Sequence, residues 1–282
     1  MLARAEKFFK GFDNTKLFLQ TWGNPKAQAT ILITHGQAEH SDAYLRLVDG
    51  LSKHLNLNFI AWDLRGHGKS EGIRGYAGDF NHYVLDYDCF IEEALKLPLV
   101  KNKTLFLLGH SMGGLIQTCA LVEKKYTQVT AQILSSPLFG LQLPVPVWKS
   151  SAADLLNKYL PKLTLGNEIK FDRLTRDLSV IREYEKDLYR HDKISTGVFL
   201  GIKREVEKIK SRGADINLPT FLSISDHDPI ISTQDAVSFF ESIGSLDKTL
   251  KMIEGAKHEL YNDTCREEVF KAVADFCSEH IK

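Results

Sequence analysis

The 282-residue sequence predicts an α/β fold with a mostly parallel sheet, covered by helices on both faces and interrupted by one inserted segment. Three observations carry that prediction. Short continuous apolar runs alternate with segments of helical periodicity, as strands buried on both faces require. The alternation stops at Pro137 and resumes near residue 213. One apolar run ends in a glycine-flanked serine that opens a helix, at Gly109-His110-Ser111-Met112-Gly113.

In chain order, "EKFFKG" and "KLFLQTW" flank the polar pair Asp13-Asn14 and predict an antiparallel hairpin. "ATILITH" predicts a short buried strand that stops at a glycine. Leu45, Val48, Leu51 and Leu55 recur at helical spacing and predict a helix over Tyr44–His54. The strand "NFIAW", a helix over Tyr83–Leu97, the strand "TLFLLG", a helix over Met112–Lys124 and the strand "AQILSS" follow. From Leu138 to about Arg212 the chain is charge-rich and helical in pattern, without a strand of the same buried type. "TFLSIS", a helix over Thr233–Ile243, the strand "KTLKMIE" and a helix over Glu267–Ile281 complete the alternation. The expected organisation is one α/β core from residues 1–137 and 213–282, with an all-helical cap over 138–212.

Composition bounds the function. The length suits one large domain or one domain with an insertion, and it can bury a full core without staples. A hydrophobic content of 43% and a charged content of 26% are ordinary for a soluble globular protein. Zero formal net charge gives no sign of a nucleic-acid partner. Cys89, Cys119, Cys265 and Cys277 form no CxxC pair and read as reduced thiols, which predicts a cytoplasmic setting. The first residues scatter their charges and hold no apolar signal-peptide core, so the sequons at Asn102 and Asn262 read as chance matches. Thr104–Val122 carries no formal charge, yet Gly109, His110, Ser111 and Gln117 near its middle fit a strand, a turn and a helix rather than a membrane span.

The stretch "LFLLGHSMGGL" is the most specific chemical signal. It matches G-x-S-x-G directly after a strand and before a helix, the context in which Ser111 would sit on a sharp, strained turn. A serine hydroxyl needs a base. His258, in "IEGAKHEL" after the last strand, lies in a loop at the sheet's C-terminal edge, where ligands bind in open α/β sheets. "HELYN" places Asn262 where a zinc-protease helix needs its second histidine, so metal ligation is rejected there. The acid of a Ser–acid–His chain order should follow a later strand. "TFLSIS" is that strand, and both Asp226 and Asp228 stand beyond it. Asp228 precedes Pro229, which restricts its backbone, whereas Asp226 could bond neighbouring N–H groups. These residues alone leave both acids open, and no third ligand is spaced to make Asp226-His227-Asp228 a metal site. The N–H groups of Met112, at the helix start, and of Gln37, after His35-Gly36, are the expected oxyanion donors. "DLRGHGKS" has Asp63 where a phosphate-binding loop needs glycine, and reads as a structural turn.

Together "THGQAEHSDAY", "WDLRGHGKSEG", "DYDCFIEEA", "LLGHSMGGL", "SSPL", "LPKLTLGN" and "EGAKHELYND" resemble the monoacylglycerol lipase and lysophospholipase branch of the α/β-hydrolases, also described as serine aminopeptidase-like. The likeness spans roughly residues 8–280 with the motifs in order. It implies an eight-stranded sheet, a helical cap over the site, and carboxylic ester hydrolysis without a cofactor or metal. Carried over by position, it implies Ser111 as nucleophile, His258 as base, and Gln37 and Met112 as oxyanion donors. The family's acid loop, G-x-x-D, falls on Ser225-Asp226-His227-Asp228 and selects Asp228, although Ser225 replaces the glycine. The likeness also puts Glu39 beside the headgroup pocket.

The start of the cap, "LFGLQLPVPVW", runs from Leu138 to Trp148 without a charge. It could line an acyl tunnel, dip into a membrane surface, or pack the cap onto the core. Residues 138–212 hold 15 Lys/Arg against 10 Asp/Glu, a bias that suits an anionic lipid surface as well as solvated helix faces. The expected substrate is a single-chain lipid ester. The alternatives are a small soluble ester or an amide on the same machinery, or a ligand-binding relative without turnover. Oligomeric state is not legible.

Overall fold

The computed structural model describes residues 2–142 and 155–281. The N-terminal hairpin pairs β1 (Ala3–Lys10) with β2 (Lys16–Gly23) in antiparallel register, turning through Asn14 at φ +67°. β3 (Ala29–Thr34), α1 (Leu45–Ser52), β4 (Leu57–Trp62), α2 (Asn81–Leu95), β5 (Thr104–His110), α3 (Met112–Glu123) and β6 (Ala131–Ser135) follow. After the inserted segment come β9 (Thr220–Ser225), α6 (Thr233–Ser242), β10 (Lys248–Ile253) and α7 (Arg266–His280). These strands form one eight-stranded sheet in the order β1-β2-β4-β3-β5-β6-β9-β10. Pairings from β4 to β10 are parallel, and β2 joins β4 antiparallel.

Burial explains why the central strands read as unbroken apolar runs. Every residue of β3, β4, β5, β6 and β9 is buried, because both sheet faces are covered. Alternate side chains then feed two cores: Ile31 and Ile33 pack with α1 and α7, and Leu32 packs with α2 and α3. The edge strands β1 and β10 are largely exposed. The charge-free run Thr104–Val122 folds as β5, a turn and α3. Residues Met112–Val122 are all buried, which is why no solvent face interrupts the pattern. Among the described residues, no helix is long and apolar enough to cross a membrane.

The segment between β6 and β9 differs from its all-helical expectation. It holds α4 (Leu178–Tyr184) and α5 (Thr196–Ile209), but also β7 (Thr164–Gly166) paired antiparallel with β8 (Lys193–Ser195). Three-residue strands of half-exposed residues carry no periodicity that a sequence reading could detect. "DLRGHGKS" forms an anchored turn: Asp63 accepts from the N–H groups of Ser41 (2.7 Å) and Lys69 (2.8 Å). Arg65 forks onto buried Asp86 at 2.6 and 2.8 Å.

Candidate active site

The site is built where β5 ends. Ser111 adopts φ +50° and ψ −119°, a strained conformation for a residue with a Cβ. It is stabilised by its own N–H donating to Ser135 O at 3.0 Å and by the Leu138 N–H donating to its carbonyl at 3.0 Å. The glycines of the motif have a steric cause. A Cβ on Gly113 would lie 2.2 Å from the Thr34 carbonyl oxygen, so only glycine lets α3 approach β3. Met112 opens α3, so no intrahelical carbonyl can take its N–H.

His258 reaches Ser111 from the loop after β10. Its Nε2 is 2.9 Å from Ser111 Oγ, and its Nδ1 is 2.8 Å from Asp228 Oδ2. The Asp228 side chain is fully buried and its Oδ1 accepts from the N–H groups of Ile230 (2.8 Å) and Ile231 (3.1 Å). Burial alone would raise this carboxyl, but the His258 contact and the two N–H groups hold it below the usual range. Conversely, burial disfavours the His258 imidazolium, and Asp228 overrides that to raise its pKa above 6.5. An ionised Asp228 requires the proton on Nδ1, leaving Nε2 bare to accept from the serine hydroxyl. The neighbouring His110, 4.9 Å away ring to ring, is pushed down to about 3 by burial and by the positive charge of His258, and stays neutral.

Asp226, the other acid left open by sequence, is turned away. Its Oδ1 accepts from the Gly255 N–H at 2.8 Å and its Oδ2 lies 3.1 Å from His227 Nδ1. It clasps the start of the His258 loop and does not touch the imidazole.

The loop after β3 closes the other side. A Cβ on Gly36 would sit 3.1 Å from Ser111 Cβ, so the backbone before Gln37 passes directly beside the serine. Gln37 lines the cavity, and its side chain is held by Lys193 O (2.6 Å) and Asn167 Nδ2 (2.8 Å), both from the inserted segment. Glu39 is buried; its carboxylate accepts from the Gly36 N–H and from Tyr44 OH at 2.8 Å. Leu138 is buried in the core behind Ser111 and is not part of the cavity wall. Trp148 lies outside the described residues.

A cavity of about 290 Å³ opens onto Ser111 and His258. Much of its wall comes from the inserted segment: Asn167, which ends the quoted stretch "LPKLTLGN", and Ile169, Phe171, Tyr184, Asp187 and Arg190, which the sequence did not single out. Arg190 binds both oxygens of Glu259 at 3.0 and 3.1 Å, and Asp187 pairs with His40 Nε2 at 2.7 Å. Burial would raise both Glu39 and Glu259; Arg190 holds Glu259 low, whereas burial and the charge of Glu259 leave Glu39 raised. Glu259, next to His258 in "KHEL", had a positional signal in the sequence. A lone arginine in a charge-rich insert has none.

An eight-stranded sheet of this order, with a strained serine turn after β5 and a histidine after the last strand, defines the α/β-hydrolase class. The chain belongs to the serine aminopeptidase S33 family, whose model matches residues 25–265. Monoglyceride lipase of Rattus norvegicus is 36% identical over 258 residues, 89% of this chain and 82% of that protein. Phospholipase YtpA of Bacillus subtilis (strain 168) is 29% identical over 262 residues, 93% and 99% of the two chains. The crystal structure of the Paleococcus ferrophilus monoacylglycerol lipase superposes with a TM-score of 0.80 at 26% identity, covering 99% of each chain.

Proposed function

We propose that this protein is a serine hydrolase that cleaves carboxylic esters of single-chain lipids through an acyl-enzyme. The observation that carries the reading is the continuous file from Ser111 Oγ through His258 to Asp228, with links of 2.9 and 2.8 Å. Ser111 Oγ attacks the ester carbonyl carbon as its proton passes to His258 Nε2. The imidazolium is stabilised by Asp228, and the carbonyl oxygen, now an anion, is held by the N–H groups of Gln37 and Met112. Collapse breaks the bond to the alcohol, which leaves with the proton from His258. Water then gives a proton to His258 Nε2 as its oxygen bonds to the acyl carbon; the bond to Ser111 Oγ breaks, His258 returns the proton to Oγ, and the fatty acid leaves.

The lipid class is supported by the names of the two relatives, a monoglyceride lipase and a phospholipase, and by the charge-free run Leu138–Trp148 at the start of the inserted segment. Residues 138–212 serve as a cap over the site. Leu155, Tyr159, Leu160 and Leu163 are exposed on it, interleaved with Lys158 and Lys162, a pattern that suits peripheral contact with a lipid surface.

The test is labelling by a fluorophosphonate together with hydrolysis of monoacylglycerols. Ser111→Ala should abolish both, a loss on the order of 10⁴- to 10⁶-fold in kcat. Normal turnover by that variant would refute the mechanism. Turnover confined to acetate and butyrate esters would make the protein a small-ester esterase, and tight ligand binding by an unlabelled wild type would make it a receptor.

A further inference from the structure

Between α4 and β8, Arg190 has a side chain that is only 5% exposed and lies 3.7 Å from the Tyr184 ring centroid. Its guanidinium forks onto both oxygens of Glu259 at 3.0 and 3.1 Å, and its Nη2 is 3.6 Å from Glu39 Oε2. Glu259 directly follows His258 and also accepts from Tyr184 OH and Asn262 Nδ2. Glu39 accepts from the N–H of Gly36, the residue before Gln37. One guanidinium therefore joins the loop of the base to the loop of the oxyanion donor.

Such a buried acid–base–acid cluster is a poor way to gain stability, because desolvating three charges offsets most of their attraction. Its value lies in geometry and charge. We propose that Arg190 is a positioning residue of the hydrolysis reaction. It fixes His258 relative to the Gln37 N–H, and it limits the negative field that Glu39 and Glu259 exert on the imidazole. The proposal rests on the serine-hydrolase reading above. The groups facing His258 are Asp228, Ser111, His110, Glu259 and Glu39, and Arg173 contributes only its carbonyl oxygen, 3.4 Å from the His258 N–H. Of these, the two glutamates are the ones Arg190 neutralises. Because Arg190 belongs to the inserted segment, it couples the docking of that segment to both loops at once, since its guanidinium meets Glu259 and Glu39.

The two contributions separate by substitution. Arg190→Lys keeps the charge and loses the fork, whereas Arg190→Met loses both. With p-nitrophenyl butyrate, Arg190→Lys should lower kcat about tenfold at nearly constant KM through misplacement of the base. Its acid limb in kcat/KM should stay where it is in the wild type. Arg190→Met should lower kcat by about a hundredfold. Its acid limb should also move up by about half a pH unit or more, since the uncompensated glutamates favour the imidazolium. Arg176→Met is the control: Arg176 pairs with Asp263 at 2.7 Å on the same loop without touching Glu39 or Glu259, and its acid limb should not move. Thermal melts accompany every variant. If Arg190→Met does not fold, Arg190→Lys decides the matter. Arg190→Lys with wild-type kcat overturns the proposal, as does a folded Arg190→Met with wild-type kcat and acid limb. A wild type that neither hydrolyses the ester nor reacts with a fluorophosphonate defeats the underlying reading instead.

Discussion

Asp228→Asn should reduce kcat by about four orders of magnitude, and the surroundings of Asp228 say why so isosteric a change is so damaging. Two backbone N–H groups, of Ile230 at 2.8 Å and Ile231 at 3.1 Å, point at one side-chain oxygen. The other oxygen faces His258 Nδ1 at 2.8 Å. An asparagine amide has one acceptor and one donor end. If its oxygen serves the two N–H groups, its NH₂ faces Nδ1 and forces the proton onto Nε2, where it blocks acceptance from Ser111. If the amide flips, its NH₂ meets two N–H donors in a buried site with no acceptor between them. The first arrangement wins, so the variant should fold well and hold the wrong tautomer. A 10⁴-fold loss corresponds to about 5 kcal/mol of transition-state stabilisation. Asp226→Asn keeps an oxygen for the Gly255 N–H and should cost less than about tenfold. Steady-state hydrolysis of p-nitrophenyl butyrate by the two purified variants, each checked by a thermal melt, compares them directly. A larger loss for Asp226→Asn, or an Asp228→Asn enzyme within tenfold of wild type, would refute the reasoning.

Activity should require neutral His258, whose pKa is raised above 6.5, so kcat/KM should be full at alkaline pH and fall as pH drops through a midpoint above 6.5; a profile flat down to pH 5.5 contradicts this. Gly113→Ala should destabilise the fold by about 3 kcal/mol or more, since the new methyl meets carbonyl oxygens of Thr34 and His35 that belong to the sheet and its exit; a melting temperature within 2 °C of wild type, the resolution of an ordinary melt, argues otherwise. With esters of graded length, each added methylene that the site buries should raise kcat/KM roughly three- to fourfold until the buried space is filled, from about 0.8 kcal/mol per CH₂. Trp148→Ala should flatten that rise for long chains and spare short ones, and a series indifferent to both length and Trp148 would remove the cap from substrate selection.

The core was legible because its pattern has one physical cause. Strands covered on both faces leave no side for charged residues, so "ATILIT" and "TFLSIS" carry none, and their burial is complete. The helix after Ser111 was legible for the opposite reason: the glycines around it mark the close approach of backbone, here α3 against β3. The acid was ambiguous from residues alone, since Asp226 and Asp228 share a loop. Its resolution depends on which carboxylate receives N–H groups from the turn at Ile230 and Ile231, a matter of backbone direction that composition cannot encode.

The inserted segment resisted reading because its residues act through distant partners. Thr175 Oγ1 donates to Asn262 O at 2.8 Å, Arg176 to Asp263 at 2.7 Å, and the Glu259 N–H to Leu174 O at 2.8 Å. On the other side the His191 N–H donates to Ala38 O at 3.2 Å, and Gln37 is held by Lys193 and Asn167. The segment thus grips both loops that flank Ser111, with contacts separated by 69 to 156 residues in the case of Arg190–Glu259 and Gln37–Lys193. Gln37, Asn167, Glu259, Asn262 and Asp263 fall within recognisable stretches, but Leu174, Thr175, Arg176, Arg190, His191 and Lys193 show no period or motif that would pair them with those loops. A roof that only covered the cavity could be exchanged without touching the reaction. One that supplies hydrogen bonds to the loops of His258 and Gln37 cannot, so changes in the insert should alter turnover as well as substrate choice.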